Sequence, residues 1–285
     1  MPDWDVLAPD EVQVPFVFAS PHSGRMYSSE FVAASCLDVR TLRRSEDAFV
    51  DELFLTAPTH GAPLLRAQFP RAFVDANRDA RELDPRMFEE PLPAESFHDS
   101  PRAAAGYGVV ARLVAGGNAI YSRKLRFEDA RNRIATLHAG YHEVLRRLVD
   151  ASRQRFGGCL LIDCHSMPSR NAIKDRDAHL RDVDIILGDC WGSSCDALLS
   201  DTAERFFRDL GFSVGRNRPY AGGYTTRHYG APRNAVHALQ IEVNRALYMD
   251  EERIERKDCL PDLVVRLDRF IGRLVAVNWS PLVRA

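Results

Sequence analysis

The sequence predicts an α/β fold, a mixed, largely parallel sheet flanked by helices, on three observations. Two apolar runs, at residues 14–19 and 158–162, have the uninterrupted apolar character of strands buried on both faces, and each is followed closely by a histidine. A third run, residues 236–243, carries Glu242 near its far end. Between these runs, amphipathic segments of helical length alternate with short strands, the βα alternation of a wound sheet.

The elements follow in order. The run at 14–19 ends in Ser20-Pro21-His22-Ser23-Gly24-Arg25. Ser45 stands as a helix N-cap, with Glu46 and Asp47 in the first turn and Phe49, Val50, Leu53 and Phe54 on the apolar face; acids there also suit the helix dipole. Residues 69–85 are dense in arginine and acid around a short strand-like Ala72-Phe73-Val74. Residues 89–108, with prolines at 91, 93 and 101 and glycines at 106 and 108, read as a long irregular loop of the kind that serves as a lid or binding segment. Ile134, Leu137, Tyr141, Leu145 and Leu148 recur at helical spacing and predict a helix over 127–155, stopped by Gly157-Gly158.

That helix feeds the strand Cys159-Leu160-Leu161-Ile162-Asp163-Cys164-His165, where alternation puts Asp163 and His165 on one side. A strand at 183–187, a helix at 196–210 and a strand at 212–215 come next. A glycine-rich loop follows at 220–230, lacking the patterns of phosphate-binding loops, and then the strand at 236–243. The region 251–277 is helical, with Ile254, Leu263, Leu267, Ile271 and Leu274 toward the sheet. With no internal repeat, the chain reads as a single α/β domain over 1–285.

Composition narrows the function. The 285 residues are 45% hydrophobic and 27% charged with a net charge of -2, so there is no basic field for nucleic acid or an anionic membrane. No apolar run approaches the roughly 18 residues of a membrane span, and the N-terminus has acids where a secretory signal has a basic region. A cytoplasmic protein is the expectation. The six cysteines are scattered without a Cys-x-x-Cys pair and read as reduced, mostly buried thiols.

Three strand ends thus offer His22, His165 and Glu242, and a helix start offers Asp47 or Glu46. Two histidines and one carboxylate with an open position make up the protein part of a catalytic zinc site. A further unliganded glutamate is what such a site needs to move a proton from water to a leaving nitrogen. There is no compact H-E-x-x-H, and a histidine hydrogen-bonded under the sheet accounts for a single Asp-x-His equally well. Arg71, Arg78, Arg227 and Arg245 flank the same segments, and guanidinium forks pair with carboxylates, which points to a small anionic substrate. A thiol amidase built on Cys164 beside His165 is disfavoured, since neighbours on a strand face opposite ways.

Pro21-His22-Ser23-Gly24, Glu46-Asp47-x-x-Val50-Asp51-Glu52-Leu53, Pro70-Arg71-x-x-Val74-Asp75-x-Asn77-Arg78, Ile162-Asp163-x-His165-Ser166-Met167-Pro168, Gly222-Gly223-Tyr224 and Leu239-Gln240-Ile241-Glu242-x-Asn244-Arg245-x-Leu247-Tyr248-Met249 together resemble the N-formylglutamate amidohydrolases. The resemblance runs in order from about residue 14 to 255. It implies a phosphorylase/hydrolase-like fold related to zinc carboxypeptidases and aspartoacylases, and hydrolysis of N-formyl-L-glutamate to formate and glutamate, a step of histidine degradation. It also implies one zinc ion, or another divalent metal, on His22 and His165, with Glu242 as general base. Arg71 then polarises the carbonyl, and Asn77 and Arg78 bind substrate carboxylate, with Gly223, Tyr224, Thr225, Arg227 and Arg245 as further substrate contacts. One departure matters: where carboxypeptidases take a ligand from His-x-x-Glu, position 25 is Arg25. The carboxylate ligand must come from elsewhere; Asp47 is preferred to Glu46, with Asp163 as support behind a ligand or an alternative to it. Deacylation of another N-acyl acidic amino acid, or non-catalytic binding of acidic ligands, remains open at this level, as does the oligomeric state.

Overall fold

The apolar runs become the inner strands of a mixed seven-stranded sheet. The computed structural model describes residues 3–169 and 183–283. Its sheet strands are β1 (Trp4–Leu7), β2 (Phe16–Ser20), β3 (Leu64–Ala67), β4 (Cys159–Met167), β5 (Ile185–Gly188), β6 (Val214–Arg216) and β7 (Val236–Asn244), in spatial order β1-β3-β2-β4-β7-β5-β6. β2 pairs in parallel with β3 and β4, β4 with β7, and β5 with β6; β5 runs antiparallel to β7. Every residue of β2, β4 and β7 is buried, which explains the unbroken apolar runs of β2 and the first half of β4.

The helices are α1 (Ser29–Ala34), α2 (Val39–Leu42), α3 (Val50–Leu53), α4 (Pro101–Ala104), α5 (Phe127–Arg133), α6 (Ala139–Phe156), α7 (Ala197–Asp209), α8 (Tyr224–Tyr229) and α9 (Leu260–Val275). The described residues group into two compact units, one from residues 3–5, 21–48 and 67–144, the other from residues 6–20, 49–66, 145–169 and 183–283. In the second unit, α7 starts at Asp196, whose side chain accepts from Leu198 N, and packs on α9 through Phe207 and Phe270, stacked at 3.7 Å between ring centroids. Both rings are fully buried, and each such side chain contributes roughly 1.5–3 kcal/mol relative to exposure. In the first unit, Phe31, Leu42, Ala72, Val114 and Ile120 form a separate cluster.

Several expectations are corrected. Ser45 caps no helix: it closes a 3-10 turn, Arg43–Ser45, and its Oγ accepts from Ala115 N. The Asp47 N–H is taken by the His22 carbonyl at 3.0 Å, and Phe49, at φ 67°, precedes the four-residue α3. Glu46 and Asp47 therefore lie before the helix rather than in its first turn. Ala72-Phe73-Val74 is a turn in which Phe73 N and Val74 N both donate to Pro70 O, whereas β3, just before it, has no counterpart in the sequence reading. Half of the glycine-rich loop is helical as α8, and the C-terminal helix begins at Leu260, after a small hairpin. The long helix is present from Phe127 to Phe156, but a π turn at Ile134–His138 divides it.

No helix among the described residues is long and apolar enough to cross a membrane. Cys159, Cys164 and Cys195 are buried, but Cys36 and Cys259 are exposed, so burial of the thiols is less general than the sequence implied.

Candidate metal centre

Four residues beyond β2, the chain passes so close to its neighbour that a Cβ on Gly24 would lie 2.1 Å from the Phe69 carbonyl oxygen. That close approach explains the glycine after His22-Ser23, while the imidazole is held by two carboxylates. His22 Nε2 donates to Asp75 Oδ1 at 2.7 Å, and Nδ1 stands 3.2 Å from Asp47 Oδ2. Asp75 is saturated with donors: Oδ1 also accepts from Asn77 N at 2.8 Å and Oδ2 from Arg71 Nε at 2.9 Å. Burial would raise the Asp75 carboxyl, but the charges of His22 and Arg71 and the His22 hydrogen bond outweigh it and hold it well below the usual carboxylate range. Arg71 Nη1 reaches within 3.6 Å of Asp47 Oδ1.

The parallel strands β4 and β7 set the other half of the chemistry. Their register places His165 opposite Glu242, on one face of the sheet. His165 Nε2 is 3.0 Å from Asp163 Oδ2, and Glu242 Oε1 accepts from Gln240 Nε2 at 2.8 Å. Cys164, between the two site residues of β4, donates to Ile162 O. Burial, with the Asp163 charge, pushes its thiol well above the ordinary range, which leaves no thiolate for nucleophilic chemistry.

His22, Asp47 and His165 are all buried and offer ligand atoms that lie within 4.8 Å of one another. The hydrogen bonding suits a cation. A neutral imidazole has one N–H, and that of His22 is committed to Asp75. The Nδ1 lone pair then faces a carboxylate oxygen across 3.2 Å, an arrangement that is relieved by a second proton or by a metal ion. Each histidine has a carboxylate on Nε2, the partner that fixes the tautomer of a ligating imidazole. Two imidazoles and a carboxylate are the donor set of catalytic zinc.

A family model described as N-formylglutamate amidohydrolase matches residues 14–249. The chain belongs to the N-formylglutamate amidohydrolase family. It is 28% identical to N-formylglutamate deformylase of Pseudomonas putida over 95% of this chain and 96% of that one. It also resembles the crystal structure of N-formylglutamate amidohydrolase from Ralstonia eutropha JMP134, at 33% identity and a TM-score of 0.89, covering 96% of this chain and 97% of the other. A protein of Agrobacterium tumefaciens shares the fold at a TM-score of 0.68 and 15% identity, over 96% and 95% of the two chains.

The remaining predicted residues of this amidohydrolase fall into three groups. Asn77 and Arg78 are buried beside Asp75; Arg78 Nε donates to Tyr107 O, at the end of the 89–108 loop, and Nη1 to Asn77 O. Arg245 is buried and donates from Nε to Ser166 Oγ. Gly223 and Thr225 are buried, Tyr224 is half-buried and stacks on His228, and Arg227 is exposed on α8. Glu46 is turned away from the histidines: its carboxylate accepts from Arg43 Nε and Tyr27 OH, and burial raises it despite those partners. Two residues were passed over by the sequence reading. Asp75 stands inside the Arg71–Arg78 segment without a role, and Gln240 lies two residues before Glu242 on the same strand face; period-two alternation is the signal that could have found Gln240.

Proposed function

We propose that this amidohydrolase hydrolyses N-formyl-L-glutamate to formate and L-glutamate, using one zinc ion or another divalent metal held by His22, Asp47 and His165. The observation that carries the reading is the His22 ring, with Asp75 on Nε2 and Asp47 at Nδ1, in a chain whose family is named for this reaction. When bound, such a cation supplies Lewis-acid polarisation and makes water acidic enough to be deprotonated near neutral pH. Glu242 takes a proton from the attacking water, its carboxylate oriented by the Gln240 amide. Oxygen bonds to the formyl carbon, and the former carbonyl oxygen gathers the negative charge that the Arg71 guanidinium faces. Glu242 then delivers its proton to the amide nitrogen, the C–N bond breaks, and formate and the free amine of glutamate separate.

Asn77, Arg78 and Arg245, with Gly223, Tyr224 and Thr225, hold the two substrate carboxylates; Arg227, exposed at the surface of α8, guides the anion inward. Burial of Arg78 and Arg245 favours this use, because a desolvated guanidinium binds a carboxylate more strongly than one in water.

The test is formate release from N-formyl-L-glutamate together with metal analysis. Glu242→Gln is expected to keep its metal and lose about 10²–10⁴ in turnover. His165→Ala is expected to lose the metal as well. Wild-type turnover in Glu242→Gln would remove the base assignment, and a panel of formyl and acetyl derivatives of glutamate and aspartate identifies the substrate.

A further inference from the structure

The strip Asp75–Arg78 has no regular secondary structure of its own, yet it supplies Asp75 to His22 and carries Asn77 and Arg78. Its alternate carbonyls are held from outside. His142 Nε2 donates to Ala76 O at 2.7 Å, and His138 Nε2 donates to Arg78 O at 2.8 Å. The two imidazoles sit one helical turn apart, 4.5 Å between ring centroids. His138 is the last residue of the π turn Ile134–His138, and His142 lies in the first turn of α6. A π turn inserts a residue into the helical ladder, so the face presented after it is not the continuation of the face before it. Such insertions recur at functional sites.

Side chains at i and i+4 of a helix stand one above the other, and here they meet two carbonyls, Ala76 O and Arg78 O, of a segment that turns at Ala76–Asn77 and bends at Arg78. Asn77 lies between the two anchored carbonyls, and its own N–H donates to Asp75 Oδ1. Fixing the Ala76–Asn77 and Arg78–Asp79 peptide groups therefore holds the Asn77 N–H that donates to the Asp75 oxygen receiving His22 Nε2.

We propose that His138 and His142 are positioning residues, which hold the Asp75–Arg78 strip in the conformation that presents Asp75 to His22 and Asn77 to the substrate. The part concerning substrate rests on the function proposed above; the part concerning the strip does not.

Each histidine is replaced by Leu, which removes the donor, and by Gln, whose amide nitrogen extends about as far as imidazole Nε2. Two readouts are taken. Hydrogen exchange at the Asn77 amide, measured without substrate, is expected to quicken by about tenfold or more in the Leu variants, the value of one lost hydrogen bond. The KM for N-formyl-L-glutamate is expected to rise about tenfold with kcat within about threefold. Gln is expected to return both toward wild type. Should His138→Leu fail to fold, the part-buried His142→Leu carries the test alone. Wild-type exchange at Asn77 in His142→Leu, or loss of kcat at unchanged KM without rescue by Gln, overturns the proposal. If wild-type protein releases no formate, the functional reading fails, and exchange at Asn77 still decides whether the histidines position the strip.

Discussion

Asp75→Asn is the substitution that most directly tests why the centre is built as it is. The carboxylate receives three donors, His22 Nε2 and Asn77 N on Oδ1 and Arg71 Nε on Oδ2. An amide offers one oxygen. If that oxygen keeps the two donors at Oδ1, the new NH₂ group faces the Arg71 N–H, donor against donor. One charge-assisted hydrogen bond is lost, worth roughly 1.5–3 kcal/mol, and the two that remain now end on a neutral acceptor. The imidazole also loses the anion that makes it a better ligand, and removing such a partner typically weakens metal binding about 10–100-fold. The assay is competition for zinc against a chromophoric chelator, with chemical denaturation alongside. Zinc affinity within about twofold of wild type would refute the reasoning, whatever happened to stability.

Other consequences are open to direct measurement. Gly24→Ala places a methyl group against backbone atoms of Gln68 and Phe69; it should destabilise the fold by about 1–3 kcal/mol and lower metal affinity by displacing His22, which thermal unfolding and zinc titration would reveal. Alkylation of the native protein should modify the exposed Cys36 and Cys259 and spare the buried, high-pKa Cys164 without loss of activity, whereas a chelator should abolish it; the opposite pattern would restore a thiol mechanism. Asp84 is buried, and hydrogen bonds from Arg86 and Arg112 overcome the upward push of burial and hold its carboxyl below the ordinary value. Because the folded pKa is depressed, its stabilisation is present above the unfolded value of about 3.9 and is lost as pH falls through the folded value. The stability difference between wild type and Asp84→Asn should accordingly be constant above about pH 5 and shrink below about pH 4; a difference independent of pH would contradict it.

Much of the framework was legible because it depends on period and burial alone. β2, β4 and β7 are buried on both faces; β2 and β4 are apolar without interruption as far as Ala19 and Ile162, whereas β7 carries His237 and Gln240 inside its run. α7 was legible as an amphipathic segment over 196–210, and in the structure Asp196 caps it by accepting from Leu198 N. The errors fall where one residue type serves two purposes. Ser45-Glu46-Asp47 has the composition of a helix start, but Asp47 spends its N–H on the His22 carbonyl and its carboxylate beside the His22 ring, so no helix begins there. β3 has four residues and a half-buried Arg66, too short and too mixed to announce a strand. Asp75 could not be singled out among the acids of residues 75–84, because its role depends on three donors brought from positions 22, 71 and 77. The π turn is silent too, since one extra residue hardly disturbs an i, i+3, i+4 pattern.

The balance of charge around His22 leads to the last prediction. Arg71 faces both Asp47 and Asp75, and Arg78 stands 3.9 Å from Asp75, so two guanidinium groups match the two acids; what a neutral His22 leaves short of positive charge is the 3.2 Å gap between its Nδ1 lone pair and Asp47 Oδ2. A divalent cation relieves that deficit and binds only the folded chain, which assembles residues distant in sequence. Folding and metal binding are then linked: at free metal 100 times its dissociation constant, the folded state gains about 2.7 kcal/mol. Chelation should lower the midpoint of thermal unfolding by several degrees in wild type, since 1 kcal/mol shifts a chain of this size by roughly 2–4 °C. His22→Ala, which cannot complete the group, should unfold at the same temperature with and without chelator. Equal midpoints for loaded and chelated wild-type protein would mean that the lone pair of His22 Nδ1 meets a proton in that corner rather than a metal.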